Sequence, residues 1–171
     1  MSFDIHYHTC NLGTRTAERK NPFTGEMLSV PVDDGLSDAE RAAVLDLLRA
    51  AGANAPDEFG CYIVKTPDGG SAEVFAAGLG GPEQCDGFMV AMRGLTPELV
   101  GLLWKLCRDG NMSAMPVMED EVVVVASETQ VQRVQAPWPA VVAVSSPEEL
   151  AHLLSDGVAA WQAYRDQIAG K

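Results

Sequence analysis

The chain opens on a strict alternation, with Phe3, Ile5, Tyr7 and Thr9 interleaved by Asp4, His6, His8 and Cys10. A two-residue period is that of a strand with one face buried. The period changes at "LSDAERAAVLDLLRAAG", where Ala43, Val44, Leu47 and Leu48 fall on one helical stripe. Ser37 and Glu40 have the spacing of a capping box and Gly52 ends the run, so a helix is predicted there. Ahead of it, Arg15, Arg19 and Lys20 fall in a predicted loop. The turn "NPFTGE" then leads into a short strand "EMLSVPV", in which Pro31 suits an end or an edge.

"CYIVK" and "SAEVFAA" flank "TPDGG" and predict a hairpin, and the glycine-rich "GLGGPEQCDG" leads to a strand at "FMVAMR". "LTPELVGLLWKLCRDGN" predicts a second helix, with Thr96 as N-cap, Pro97 at its first position and Gly110 as terminator. "EVVVVAS" and "VQRVQ" predict another hairpin around "SETQ", followed by a strand at "AVVAVS". The last stretch, "SPEELAHLLSDGVAAWQAYRDQIAG", predicts a third helix capped by Ser146. Gly157 weakens its middle by about 1 kcal/mol relative to Ala, which predicts a kink or break there. Paired strands interleaved with three helices imply an α+β fold, a mixed or largely antiparallel sheet with about three helices packed on one face. At 171 residues, 1–171 is the size of a single globular domain.

Composition narrows the choice of partners. A hydrophobic content of 47% with 21% charged residues fits a soluble protein. No segment approaches the roughly 20 apolar residues of a membrane span. The N-terminal stretch lacks the basic-then-apolar order of a secretory leader, so a cytoplasmic location is expected. Twelve basic against twenty-four acidic residues give a net charge of −12, which repels phosphate backbones and anionic lipid and favours a cationic partner. Nucleic-acid and membrane partners are therefore not expected. Part of the acidity is concentrated between residues 26 and 58, where Asp33, Asp34 and Asp38 lie close together. Trp138, held between two prolines in "PWP", can seal the edge of the core or act as an aromatic anchor for a partner. These four residues are the candidate partner-binding set.

Candidate chemistry is sparse. Cys10, Cys61, Cys85 and Cys107 form no C-x-x-C pair. There is no G-x-S-x-G, and "GLGGPEQCDG" matches neither phosphate-loop nor dinucleotide-loop spacing. No catalytic residue is assigned, and a binding protein is favoured over an enzyme. His6 and His8, at i and i+2 of a strand, either decorate its polar face, exposed or hydrogen-bonded, or both reach one cation with Cys10 as a third ligand. This pair resembles the strand-borne H-x-H of the amidohydrolase and polymerase-and-histidinol-phosphatase metal hydrolases. The match stops at His6 and His8, the chain is shorter than the barrel those enzymes need, and the family is not assigned. Met112, Met115 and Met118 recur at a spacing of three. Thioethers select Cu(I), while methionine also fills irregular cores and lines adaptable surfaces. The run Glu119, Asp120, Glu121 precedes "VVVV" as a charged gatekeeper.

Two readings follow. The first is a small acidic cytoplasmic protein, without enzymatic activity or cofactor, that binds a basic protein partner, for which a toxin-neutralising immunity protein is one example. The second is a metal-binding protein or metal-dependent hydrolase that holds a divalent transition metal at His6 and His8.

Overall fold

A computed structural model describes residues 2–12, 15–21, 24–32, 34–118, 121–134 and 140–169. Strand β1 (Phe3–Thr9) is followed by β2 (Arg15–Lys20), β3 (Met27–Val32), helix α1 (Asp38–Ala50), β4 (Cys61–Lys65), β5 (Ser71–Phe75) and β6 (Gly87–Met92). Helix α2 (Pro97–Arg108) precedes β7 (Met112–Pro116), β8 (Val123–Val125), α3 (Glu128–Val134), β9 (Val141–Ala143) and α4 (Pro147–Ala169). Seven strands form one sheet in the order β4-β5-β6-β1-β7-β8-β9, and β2 pairs with β3 as a separate ribbon. All pairings are antiparallel except β8 with β9. The α+β reading therefore holds, and α1, α2 and α4 are the three helices that share one face.

The alternation in β1 explains why this strand sits in the centre. Phe3, Ile5 and Tyr7 are buried on the helical side, against a core that includes Leu48 of α1, Leu103 of α2 and Leu154 of α4. Tyr7 stacks on Phe88 of β6 with ring centroids 5.3 Å apart, and its hydroxyl donates to the Leu103 carbonyl at 3.1 Å. Both edges of β1 are paired, to β6 from Phe3↔Met92 to His8↔Gly87 and to β7 from Ile5↔Pro116 to Thr9↔Met112. Helix α1 forms as its capping box predicts: Ser37 Oγ accepts from the Glu40 N–H at 3.3 Å while Glu40 accepts from the Ser37 N–H at 2.7 Å.

Three expectations are corrected, one strand is added, and Thr96 is the N-cap expected of it but without a side-chain cap bond. The residues Arg15, Arg19 and Lys20 belong to β2, whose register with β3 runs from Arg15↔Val32 to Lys20↔Met27. "MSAMP", assigned no element from its pattern, is β7. "VQRVQ" is helical, part of α3, because Ser127 and Gln130 cap its start: Ser127 Oγ accepts from the Gln130 N–H at 3.3 Å, and Gln130 Oε1 accepts from the Ala126 N–H at 2.9 Å. That helix is the crossover that lets β8 and β9 run parallel. Thr96 occupies the N-cap position of α2 but makes no capping hydrogen bond; Asp68, from the β4–β5 turn, accepts the Glu98 N–H at 2.8 Å instead. Finally, α4 continues through Gly157 without a break. A Cβ at Gly157 would lie 2.8 Å from Met118 Cγ, so the glycine makes room for the segment that follows β7.

Asp68 joins two elements through hydrogen bonds alone. Its carboxylate also accepts from the Thr66 hydroxyl at 2.6 Å and the Gly70 N–H at 3.3 Å. The Thr66 bond, followed by the Glu98 and Gly70 amides, holds its pKa at about 2 against an ordinary 3.8. A carboxyl depressed by folding stabilises the native state above its unfolded pKa and loses that contribution as the pH falls through the folded value. Thermal melts of wild type and Asp68→Ala should therefore differ at neutral pH, with the variant lower. The gap should narrow between about pH 4 and pH 2, whereas a gap constant over that range would remove Asp68 as the cap.

Candidate functional site

Three segments converge where β1 and β5 end and β4 and β6 begin. The Leu36 N–H donates to the Cys85 carbonyl at 2.8 Å, and the Ala76 N–H donates to the Gly60 carbonyl at 3.1 Å. These bonds lay residues 34–38 along 84–86, and residues 57–60 along the start of the β5–β6 connection. Gly35 is required at the first crossing: its φ is 71°, and a Cβ there would lie 2.8 Å from Asp86 Oδ1. Asp57 folds its own loop by accepting from the Phe59 N–H at 2.9 Å and the Cys61 N–H at 2.8 Å. The outcome is that Phe59 stands 76% exposed.

The segments that meet at this end of the sheet carry exposed carboxylates at Asp34, Asp38, Asp57, Glu58, Glu83 and Asp86. The Arg41 guanidinium is committed to the Gly81 carbonyl at 2.6 Å. Of the predicted partner-binding residues, Asp34 and Asp38 thus lie on this surface, whereas Asp33 and Trp138 lie outside the described residues. Pattern reasoning missed Phe59. The signal in "PDEFG" is an Asp two residues before the Phe and a Gly directly after it, which together fold a tight turn.

Just past β1 the chain enters a polar knot. The Glu40 carboxylate, besides the Ser37 amide, accepts from Asn11 Nδ2 at 2.9 Å and from Asn111 Nδ2 at 2.6 Å. Asn111 holds a left-handed φ of 51°. Gln130 of α3 completes the set, donating from Nε2 to the Cys107 carbonyl at 2.8 Å and to Asn111 Oδ1 at 3.3 Å. Burial raises the Glu40 carboxyl, but the hydrogen bonds from Ser37, Asn111 and Asn11 outweigh it and hold the group below the usual value. Cys10 lies beside this knot, fully buried with Val123, Val125 and Val134 under α3. Burial and the nearby Glu40 push its thiol up to about 12, against the opposing pull of Arg133 and a hydrogen bond with Gln130. A thiol so protonated is not a ready nucleophile.

The opposite side of the sheet is covered at one end. Val131 and Val134 of α3 pack on Val123, Val125 and Met115. Away from that helix, Phe75 and Ile63 are 42% and 44% exposed, His6 is exposed and Met89 is half-buried, while Met115 lies half-buried at the helix's border. The register places His6 directly between Met89 of β6 and Met115 of β7. A groove of about 310 Å³ beside His6 is walled by Met115, Met118 and Val122, with Glu121 on its lining. His8 lies on the same side two residues along, its Nδ1 3.2 Å from the Thr9 carbonyl.

The structure therefore puts His6 and His8 on one open surface and turns Cys10 beneath α3. Among the described residues no three His, Cys, Asp or Glu side chains are grouped to hold a metal ion. The M-x-x-M spacing does not converge either. Three residues along a strand reverses the face, so Met112 is wholly buried in the core while Met115 faces the other way. Comparison with protein-family models, curated proteins and solved structures finds no match. No helix among the described residues is long and apolar enough to cross a membrane.

Removing the Glu40 side chain deletes the carboxylate half of the capping box and takes one acceptor each from Asn11 and Asn111, which keep only the Gly35 carbonyl and Asn11 Oδ1. Glu40→Ala should lower unfolding free energy by about 2 kcal/mol at neutral pH, measured by urea denaturation. The folded pKa lies below the ordinary 4.5, so the wild-type advantage should be present above about pH 4.5 and shrink as the solution is acidified further. A difference below about 0.5 kcal/mol would show that the knot does not hold these segments together.

Proposed function

We propose that this chain is a non-enzymatic binding protein that docks a basic protein partner on the acidic end around Phe59. The observation that carries the reading is an aromatic ring 76% exposed on a turn built to present it, with acidic side chains on every segment that meets there. Leaving that ring in water forgoes about 2 kcal/mol of burial free energy, which a partner's pocket can recover. An aromatic anchor inside a charged rim is the common anatomy of a binding hot spot. The carboxylates contribute differently. They accelerate encounter with a cationic surface and reject anionic ones, in keeping with the net charge of −12. Such a protein acts in the cytoplasm without a cofactor, and neutralising a basic toxin is one role of this class.

The test is affinity capture from cell extract with wild type, Phe59→Ala and the double variant Asp34→Lys, Asp38→Lys, each at low and raised salt. A basic protein should be retained by wild type at low salt and lost at high salt. Retention should fall about 30-fold in Phe59→Ala, as for a hot-spot residue. Charge reversal should slow association without abolishing it at low salt. A partner held equally by all three proteins, or one indifferent to salt, would overturn the assignment.

A further inference from the structure

The open side of the sheet carries a second set of groups that partner binding at the acidic end does not use. Phe75, Met89, His6 and Met115 form a row across four adjacent strands, each directly opposite the next. In this row His6 is the polar member, and it stands at the centre with a methionine on either side. Directly opposed residues in antiparallel strands carry Cβ atoms roughly 4.5–5.5 Å apart. Two flexible thioether side chains and an imidazole from such positions can close on one point above the sheet.

From this juxtaposition we propose that Met89, His6 and Met115 form a binding site for a soft monovalent metal ion, Cu(I) in the first instance. The donor set decides the class of ion. Two thioether sulfurs and one neutral imidazole nitrogen bring no negative charge, and thioethers select Cu(I) over the harder divalent ions. Zinc is instead held by thiolates, imidazoles and carboxylates, and no such group is assembled here among the described residues. The scaffold also favours a defined site. The ligands come from β6, β1 and β7, three neighbouring strands in the middle of the sheet, rather than from loops. Access is open, since His6 is exposed and the groove beside it runs between Met115 and Met118. Glu121, which lines that groove, adds negative charge that favours a cation's approach. Met112 and Met92 are wholly buried on the helical side of the sheet and take no part.

The decisive experiment is an anaerobic titration of the full chain with Cu(I) against a chromogenic Cu(I) chelator, with Ag(I) as an air-stable check. Thiols are the competing soft ligands. Cys10, Cys85 and Cys107 are buried, but Cys61 is partly exposed on β4 at the far side of Phe75, so Cys61→Ser is run in parallel. One equivalent per chain should be withdrawn from the chelator by wild type and by Cys61→Ser. Met89→Leu, Met115→Leu and His6→Ala should each weaken binding at least about ten-fold, the cost that even outer-shell partners of a metal site carry. The leucine variants conserve volume, and circular dichroism checks that each variant folds. The methyl resonances of Met89 and Met115 should shift with metal while that of Met112 stays in place. No metal withdrawn from the chelator, undiminished binding in both leucine variants, or loss in Cys61→Ser would each overturn the site. None of these outcomes bears on Phe59, so the partner reading stands or falls separately.

Discussion

The Glu40 carboxylate is the point on which the arrangement turns. Its two oxygens accept hydrogen bonds from Ser37 at the start of α1, from Asn11 just after β1, and from Asn111 between α2 and β7. Through Asn111 and Gln130 the same network reaches α3. Four stretches far apart in sequence are thus fixed by one charged acceptor in a half-buried setting, where hydrogen bonds to an ionised group are stronger than neutral ones. The cost is borne locally, in the left-handed backbone of Asn111 and the exclusion of water from Cys10.

That knot decides which surfaces remain free. With the end of β1 held against α1 and α2, the apolar set Phe3, Ile5 and Tyr7 faces three helices, and the alternation of the strand then commits Asp4, His6 and His8 to the other side. Helix α3, bonded to the knot through Gln130, is what covers that side near β8 among the described residues. The middle of the open surface is therefore a consequence of where the polar network anchors the chain. The acidic end has the same origin, because residues 34–38 are pinned along 84–86 immediately before α1 begins.

Legibility in the sequence followed the range of each interaction. Patterns that act within one element were readable: the β1 alternation, the Ser37–Glu40 box and the β4–β5 hairpin all formed as their spacing predicts. The start of α3 carried the same four-residue signal in Ser127 and Gln130, and Val131 and Val134 have the helical spacing of three, but the β-branched valines of "VQRVQ" obscured both; tertiary anchoring of Gln130 on the Cys107 carbonyl favours the helix. Asp68 could not be recognised as the cap of α2, since it reaches across from a turn thirty residues earlier. The candidate sites show the same limit. His6 was visible by its type, and Met115 by the repeat it belongs to, but Met89 joins them through strand register, which no local spacing encodes. Phe59 was hidden because exposure, unlike hydrophobicity, is a property of the folded chain.

The two candidate surfaces use the chain's negative charge in different ways. A net charge of −12 raises the local concentration of every cation, protein or metal, without choosing among them. Screening confines the pull of exposed carboxylates to about 8 Å at physiological salt, so the field near the acidic end attracts and the contacts must discriminate. There, discrimination falls to the shape of the Phe59 turn. At the site proposed in the centre of the open sheet it would fall to donor softness, because two thioethers favour a soft monovalent ion where a single imidazole would not choose. On both proposals charge would supply approach, and selectivity would come from uncharged groups that the fold brings into line.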